Sequence, residues 1–306
     1  MSDKLVPVYS ERDQMRLARS TGSDQDLINL WLRGKSPRTA EAYRRDTNQF
    51  LKFFGGSLHY VKLDDLWEWN DELTARDLSV SSIARKMATL KSLFSFGHRI
   101  GVLTVNVGAA FNLPKVPSHL SERILTEEET RLLLNDPDST RNTALLRLFY
   151  ASGARVSELV ALTWTSVRPR KSSNGRATAQ ITLLGKGSKV RTVLLPASVW
   201  DVVARYWESE QAGGFGRPDD PVFRSIRGGA LSRQQMWRIV RSAARRAGLP
   251  QKVSPHWLRH AHASHALDRG APVHLVKETL GHESLATTSK YTHARPDDSS
   301  ANYLDV

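Results

Sequence analysis

The chain has 306 residues, with 44 lysines and arginines against 31 aspartates and glutamates, a net charge of +13, and it contains no cysteine. This length is sufficient for two domains, and the lack of cysteine excludes disulfides and thiolate metal sites and suits a reducing compartment. A membrane span is excluded because no run of about eighteen apolar residues occurs. The opening residues, MSDKLVPVYSERDQ, lack an apolar signal core, so we expect no secretion.

The excess of positive charge favours a polyanionic partner. Lysine and arginine side chains that neutralise phosphates release condensed counterions, and this release drives binding to nucleic acid. The alternative is a basic surface that is only solvated.

Residues 20–112 are predicted to form a small all-helical domain. The apolar spacing of DQDLINLWLRG is helical, with Gly34 as its expected stop. In SPRTAEAYRRDTNQFLKFFGG, Ser36 is a typical N-cap, Pro37 suits the first helical position and Gly55 is a typical end. A third helix, VSSIARKMATLKSLFSFGHRIG, has an apolar stripe formed by Ile83, Met87, Leu90 and Phe94. Basic residues predicted on the other faces are candidates for DNA contact: Arg44, Arg85 and Lys86.

A linker is predicted over residues 113–122, within NLPKVPSHLSER, because prolines, serines and other polar residues are concentrated there. It separates a helical domain, 20–112, from a second domain with a C-terminal tail, 123–306, and the family resemblance described below implies that the first binds core DNA and the second is catalytic. Directly after it, Thr126 and Glu129 of TEEE have the spacing of a capping box.

The second half has a mixed pattern. An apolar helix is predicted over 142–151, and the runs TAQITLL and VRTVLL are typical of two strands joined by GKGSK as a hairpin. Ser232 then begins a helix that Gly248 ends, Ser254 and Pro255 begin another that ends near Gly270, and Pro272 begins a third that ends at Gly281. No internal repeat is evident.

The helix from Ser232 to Ala247 carries a row of arginines, and Trp237, Ile239 and Val240 are predicted to pack inward. We expect this helix to lie in or beside the major groove of DNA. The residues expected nearest the bases are Ser232, Arg233 and Gln235. Those expected on phosphates are Arg238, Arg241 and Arg245. The alternative is again a solvated basic face.

Several scattered polar residues are of the types that phosphodiester chemistry requires. His256 and Arg259, three residues apart, share one helix face and form a plausible phosphate clamp. Glu158 follows Arg155 at a spacing that would hold that arginine in place. The remaining candidates are Lys186 in the hairpin, His282 after a helix-ending glycine and Tyr291. Taken singly, each is more typical of a surface charge, a solvated turn or ordinary packing.

Taken together, these residues suit the attack of a phenol on a phosphodiester. A tyrosine hydroxyl has a pKa of about 10 and is a weak nucleophile until a base or a field assists it. Fixed guanidinium and imidazole donors stabilise the charge of the transition state without a metal, and a flexible lysine can protonate the leaving sugar oxygen. The covalent phosphotyrosine conserves the bond energy, so rejoining needs no nucleotide cofactor.

A metal site is the competing interpretation of the histidines His256, His260, His262 and His265. We disfavour zinc because no carboxylate lies among them and the chain has no cysteine. His260, His262 and His265 are interpreted as packing or DNA-facing residues.

The order R-x-x-E, GKG, HxLRH, LGH and Y resembles the tyrosine recombinase (integrase) family and, within it, the bacterial Xer-type site-specific recombinases. SPHWLRHAHASHALDRGAPVHLVKETLGHESLATTSKYTH matches the signature region of that family along its whole length. ASGARVSELVALTW and LLGKGSKVRTVLLP are similar, and SPRTAEAYRRDTNQFLKFFG resembles the N-terminal DNA-clamp domain more weakly. The resemblance covers roughly residues 20–293.

The resemblance implies a mainly α fold with a small β-sheet, in which a SAM-like helical bundle and a mixed α/β catalytic domain form a C-shaped clamp on DNA. It implies that Tyr291 is the nucleophile, that Lys186 protonates the leaving 5′ hydroxyl and that Glu158 supports Arg155. The phosphate would be bound by Arg155, His256, Arg259 and His282, with His256 or His282 helping to move the tyrosine proton.

The same resemblance implies a site-specific recombinase that forms a 3′-phosphotyrosyl link and exchanges strands through a Holliday junction, with no metal or other cofactor. Its partners would be duplex DNA with a specific site, three further protomers of itself or of a sister recombinase, and a DNA motor or accessory protein. We expect it in the cytoplasm with the nucleoid, not at a membrane.

Three features depart from the pattern: a leader of about twenty residues, the long basic stretch RPRKSSNGRATAQ, and a short tail ending in NYLDV. The leader and the insertion make a mobile-element integrase credible beside an Xer-like role. The remaining alternatives are a type IB topoisomerase-like enzyme, which relaxes DNA without a defined site, and a DNA-binding regulator with an inactive site.

Overall fold

The computed structural model describes residues 23–117, 124–137, 139–185, 189–250, 252–282, 284, 287, 288 and 291. Lys186, the leader and the tail therefore lie outside the described residues. The chain divides into two compact units, residues 1–117 and 118–306. The finer division into 20–112, 113–122 and 123–306 stays a prediction.

The N-terminal unit is helical in its described part. Its helices are α1 (Asp24–Leu32), α2 (Pro37–Phe54), α3 (Leu63–Ala75), α4 (Val80–Arg99) and α5 (Val107–Ala110). The Ser36 side chain accepts from the Thr39 backbone at the start of α2, and Gly55 ends that helix at a φ of 72°, as the sequence predicts. The core lies between the helices, where Phe50, Trp69 and the predicted stripe of α4 are buried.

One predicted exposed position in this unit is wrong. Lys86 is only 8% exposed, and its ammonium donates to Asp46 at 3.1 Å and to Gln49. Arg85 forms an ion pair with the same carboxylate but keeps nearly half of its side chain exposed. Asp46 is fully buried, and a buried carboxylate is stable only when cations or other donors surround it, so Lys86 is drawn inward. Arg44 is partly buried and donates to Asn29.

The C-terminal unit packs helices around a small sheet. Its helices are α6 (Glu127–Leu133), α7 (Thr140–Ser152), α8 (Val156–Val160), α9 (Ala197–Ala212), α10 (Arg233–Arg246), α11 (Pro255–Asp268) and α12 (Val273–Leu280). The predicted capping box is confirmed, because Thr126 and Glu129 each accept a backbone N–H from the other. Helix α9, which contributes Trp200, Val203 and Tyr206 to the core, is not among the helices predicted from the sequence.

The sheet has the antiparallel order β1-β2-β3, formed by Val167–Lys171, Ala177–Leu184 and Val190–Leu195. The predicted hairpin is confirmed by the pairing of β2 with β3, from Ala179 opposite Leu195 to Leu184 opposite Val190. The long basic stretch before the hairpin supplies β1 and a turn, an outcome that its polar composition did not indicate. Alternate residues of β2 face the core: Ala179, Ile181 and Leu183.

Helix α10 is amphipathic, but one of the three residues predicted to face inward, Trp237, faces outward. Met236, Val240, Ala243 and Ala244 are buried, whereas Trp237 is 43% exposed. The inward orientation predicted for Trp237 is therefore wrong. The guanidinium of Arg241, one turn later, lies over its ring at 4.6 Å, and the indole supports that cation at the surface. Among the described residues, no helix is long and apolar enough to cross a membrane.

Candidate active site

Three arginines converge on the end of α12. Arg191 Nε donates to the carbonyl of Thr279 at 2.7 Å, Arg259 Nη2 to that of Leu280 at 2.7 Å, and Arg155 Nη2 to that of Gly281 at 3.0 Å. The last carbonyls of a helix lack intrahelical donors and carry the negative end of its dipole. This helix end therefore gathers guanidinium groups from the start of α8, from β3 and from α11.

Glu158 connects two of these arginines. Its Oε1 accepts from Arg155 Nη1 at 2.9 Å and Arg191 Nη1 at 2.8 Å, and its Oε2 accepts from the Arg155 backbone N–H and Arg191 Nη2, each at 2.7 Å. Burial by itself raises the pKa of this carboxyl, but the hydrogen bonds and charges of the two arginines outweigh burial and hold the pKa below its ordinary value. Glu158 is therefore ionised at neutral pH, at the spacing from Arg155 that the sequence predicts.

Arg259 is 7% exposed and also donates to the carbonyl of Gly153. Burial, together with the charges of Arg155 and Arg191, lowers the pKa of this guanidinium to about 10, so it remains charged at neutral pH. Gly153 adopts a φ of +55°, and a Cβ there would lie 2.6 Å from the Leu280 side chain. Only glycine allows this close approach of the end of α7 to α11 and α12.

A cleft of about 670 Å³ opens beside these groups. Its lining includes Arg155, Ser157, Gly185, Lys189, Arg191, Gly281, His282 and Thr287. Arg155 keeps 36% of its side chain exposed there, whereas Glu158 behind it is 2% exposed. Gly185 and Lys189 flank Lys186, but the placement of Lys186 itself lies outside the described residues. The cleft is thus a basic opening with one accessible, rigidly backed guanidinium.

The two histidines predicted to bind phosphate are neutral at pH 7. Burial, and then the charges of Arg259, Arg155 and Arg191, lower the pKa of His282 to about 4, and its Nδ1 lies 2.8 Å from Thr288 Oγ1. Partial shielding from water, Arg259 and Arg155 also lower the pKa of His256, one helical turn before Arg259. In the absence of a phosphate both rings are neutral, so each retains one N–H donor.

Tyr291 is 5% exposed and packs against Ala263, Leu267 and Leu280. Burial raises the pKa of its phenol, although the charge of Arg259 acts in the opposite direction. Its hydroxyl lies 2.5 Å from Nδ1 of His260, and the two rings are 5.7 Å apart. This contact differs from the packing or DNA-facing position that the sequence predicts for His260. The sequence feature that could have indicated a role for His260 in the site is its position on α11, directly after Arg259 and one turn after His256.

The other two histidines of α11 have structural contacts. His262 Nδ1 is 2.8 Å from the carbonyl of Tyr150, and burial lowers the pKa of this ring to about 4. His265 bridges the Leu125 carbonyl and the Tyr150 hydroxyl at 2.8 and 2.9 Å. Within the described part of the chain, no group of three or more histidines and carboxylates could hold a metal ion.

The DNA candidates on α10 form two groups. Ser232 and Gln235 form a capping box, in which Ser232 Oγ accepts the Gln235 N–H and Gln235 Oε1 accepts the Ser232 N–H. Three of the arginines are exposed, namely Arg233, Arg238 and Arg245. Arg241 is partly buried against Trp237. The capping box occupies the amide oxygen of Gln235 and not its nitrogen, which keeps two donors for another acceptor.

Two family models match the chain. The model "Phage integrase family" matches residues 121–297, and "Phage integrase, N-terminal SAM-like domain" matches residues 26–101. Tyrosine recombinase XerD of Vibrio cholerae serotype O1 is 32% identical over 281 residues, which are 88% of this chain and 90% of the relative. Tyrosine recombinase XerC of Herpetosiphon aurantiacus is 35% identical, covering 87% of each chain.

Solved structures share the fold at lower identity. The XerH site-specific recombinase in its pre-cleavage complex with the difH substrate has a TM-score of 0.67 at 21% identity, covering 96% of this chain and 88% of that one. A lambda integrase (75–356) dimer bound to a COC′ core site has a TM-score of 0.68 at 18% identity, covering 90% of this chain and 95% of that one.

Proposed function

This chain belongs to the phage integrase family and is a tyrosine-type site-specific DNA recombinase, and we propose that Tyr291 is the nucleophile with which it opens and reseals a DNA strand. The observation that carries the proposal is a buried phenol hydrogen-bonded to a histidine, near a set of braced arginines. Arg259 is close enough to Tyr291 for its charge to lower the pKa of the phenol.

The phosphate would be held by groups with different surroundings. Arg155 keeps about a third of its side chain exposed at the cleft, and Arg259 is buried with both Nη atoms bonded to carbonyls. Together with the N–H donors of His256 and His282, they stabilise the charge that develops on the non-bridging oxygens. Because these groups are already fixed in the protein, little reorganisation accompanies the reaction.

In the forward step the Tyr291 hydroxyl loses its proton and its oxygen forms a bond to phosphorus. The bond from phosphorus to the 5′ oxygen breaks, and that oxygen takes a proton, which the family resemblance assigns to Lys186. The hydrogen bond between Tyr291 and His260 supports His260 as the group that receives the phenol proton, in place of His256 or His282. The reverse step joins a 5′ hydroxyl to the phosphotyrosine and restores the free phenol.

The larger assembly follows from the family. We propose four protomers on two DNA sites, with exchange of strands in pairs through a Holliday junction and with either identical chains or a sister recombinase. In this proposal the protein acts on duplex DNA in the cytoplasm, a DNA motor or accessory protein triggers the reaction, and neither a metal nor another cofactor takes part. Chromosome partition, plasmid maintenance and DNA integration all use this chemistry.

The experiment first identifies the DNA sequence that the protein cleaves. Sheared host DNA is incubated with the protein, covalent adducts are isolated under denaturing conditions, and sequencing of the attached ends gives the cleavage position. A nicked duplex carrying that site should then trap a covalent adduct, because the strand piece with the 5′ hydroxyl diffuses away. Tyr291→Phe should form no adduct.

Tyr206→Phe is the matched control, because it removes the hydroxyl of another buried tyrosine, which lies on α9 outside the candidate site. Recombination between two copies of the site distinguishes a recombinase from a topoisomerase, which would relax DNA without them. A wild-type protein that binds the site tightly and never becomes attached to it would be a regulator and would contradict the proposal.

A further inference from the structure

Arg191 lines the candidate cleft, but most of its side chain is buried against the protein. Its side chain is 12% exposed, and all three of its nitrogens donate within the protein: Nη1 and Nη2 to Glu158 and Nε to the carbonyl of Thr279. Three of its five N–H donors are engaged in this way, and its charge faces the Glu158 carboxylate, whereas the Nη atoms of Arg259 meet neutral carbonyls. Arg191 therefore has less charge to offer a phosphate than Arg259 has. These contacts favour a part in the reaction that is exerted through its partners.

Two partners of the accessible guanidinium of Arg155 are in contact with Arg191. The first partner is Glu158, which among the described residues accepts two hydrogen bonds from Arg191 and two from Arg155. The second is the Gly281 carbonyl, which accepts from Arg155 Nη2. Gly281 has a φ of +63°, and a Cβ on it would lie 3.2 Å from Cδ of Arg191, so the arginine stem lies directly on this turn.

We propose that Arg191 is a positioning residue for Arg155, acting through Glu158 and the Gly281 turn. Without the Arg191 fork, Arg155 is the cation that remains paired with the ionised and buried Glu158 among the described residues. A buried carboxylate that loses donors draws the remaining cation toward itself, which moves the Arg155 guanidinium away from the cleft. Lysine cannot replace this fork. Its single ammonium presents neither the planar pair of donors that meets both oxygens of Glu158 nor a separate N–H at the position of Nε, which reaches the Thr279 carbonyl.

The inference rests on the proposed role of Arg155 at the scissile phosphate, and Arg191→Lys tests it. Arg224→Lys is the matched control, since Arg224 also forms a largely buried ion pair, with Glu210 at 2.6 Å, outside the site. Single-turnover adduct formation on the nicked duplex should fall by about 100-fold in Arg191→Lys, the order expected when a reacting group is misplaced by about 1 Å. Binding of the intact duplex should change less than about threefold in both variants, because the Arg191 guanidinium is largely buried against Glu158 and the Thr279 carbonyl.

A neutral substrate separates positioning from folding. Replacing one non-bridging oxygen of the scissile phosphate by a methyl group removes the charge that Arg155 is proposed to balance. On this methylphosphonate the deficit of Arg191→Lys should shrink to a few-fold, as should that of Arg155→Ala. On the normal phosphate, the double variant Arg155→Ala/Arg191→Lys should be no slower than Arg155→Ala alone, because both changes remove one interaction.

The possible results distinguish a failure of the positioning role from a failure of the proposed function. Equal deficits of Arg191→Lys on both substrates, or a double variant slowed by the product of the single effects, would overturn the positioning role. Adduct formation by Arg191→Lys at the wild-type rate would do the same. Absence of any adduct from the wild-type protein would instead overturn the proposed function itself.

Discussion

Replacing His260 by glutamine tests whether the histidine in contact with the proposed nucleophile, Tyr291, accepts its proton. Glutamine can hydrogen-bond to the Tyr291 hydroxyl but cannot take a proton from it. The ordinary pKa of a tyrosine is about 10, so at pH 7 only about one phenol in a thousand is ionised, and burial lowers that fraction further. An enzyme that relies on this fraction alone should be slower by about 100- to 1000-fold, within the range found for general bases.

The assay is single-turnover adduct formation on the nicked site between about pH 6.5 and 9.5. The rate of His260→Gln should rise about tenfold per pH unit, following the phenolate fraction, while the wild-type rate changes little over the upper part of this range. The two rates should therefore approach each other at high pH. His274→Gln, an exposed histidine in the first turn of α12, should behave as the wild type. A variant with the wild-type pH profile, or one slowed less than threefold at pH 7, would refute the role of His260.

Three further predictions concern DNA reading, stability and assembly. Arg233→Ala should relax sequence preference, whereas Arg241→Ala should weaken binding to all sequences alike by about threefold to tenfold and reduce its salt dependence; identical losses in binding titrations would contradict this division. Because burial holds the pKa of His262 at about 4 and the unfolded chain takes up its proton near the ordinary 6.5, folding stability should be lost as the pH falls through this window. Urea titrations should show that His262 accounts for a decrease of about 2 kcal/mol in the free energy of unfolding between pH 7 and 5. This contribution should be absent in His262→Asn, whose amide can still donate to the Tyr150 carbonyl. Deleting residues 297–306, which end in the apolar and acidic NYLDV, should weaken synapsis, and unchanged junction formation would exclude a role of the tail between protomers.

Local chemistry made the helix ends and turns predictable. Ser36 and Pro37 begin α2, Gly55 ends it, and Thr126 with Glu129 begins α6, because caps and left-handed glycines act within one turn of the backbone. The hairpin was predictable for the same reason. Strand β1 was not, since its polar residues form a strand only because β2 lies beside them.

The burial of charged and aromatic side chains was less accessible to sequence. The helical spacing places Lys86 off the apolar stripe, yet Asp46, 40 residues earlier, draws it inward. Trp237 is large and apolar, yet it is exposed, and its neighbour Met236 is buried in the core. In both examples the burial of a side chain depends on residues of another element. The periodicity of a single helix carries no information about those residues.

The sequence by itself determined the kinds of side chain available for phosphoryl transfer and the helices and turns that carry them. Only the tertiary structure decided that Arg191 braces Glu158 across 33 residues, that His260 meets Tyr291 across 31, and that Arg155 reaches Gly281 across 126. The physical reason is range. Caps and periodicity act within a turn or two of the chain, whereas a buried carboxylate, an open helix end and a phenol take their partners from whatever folding brings within about 3 Å.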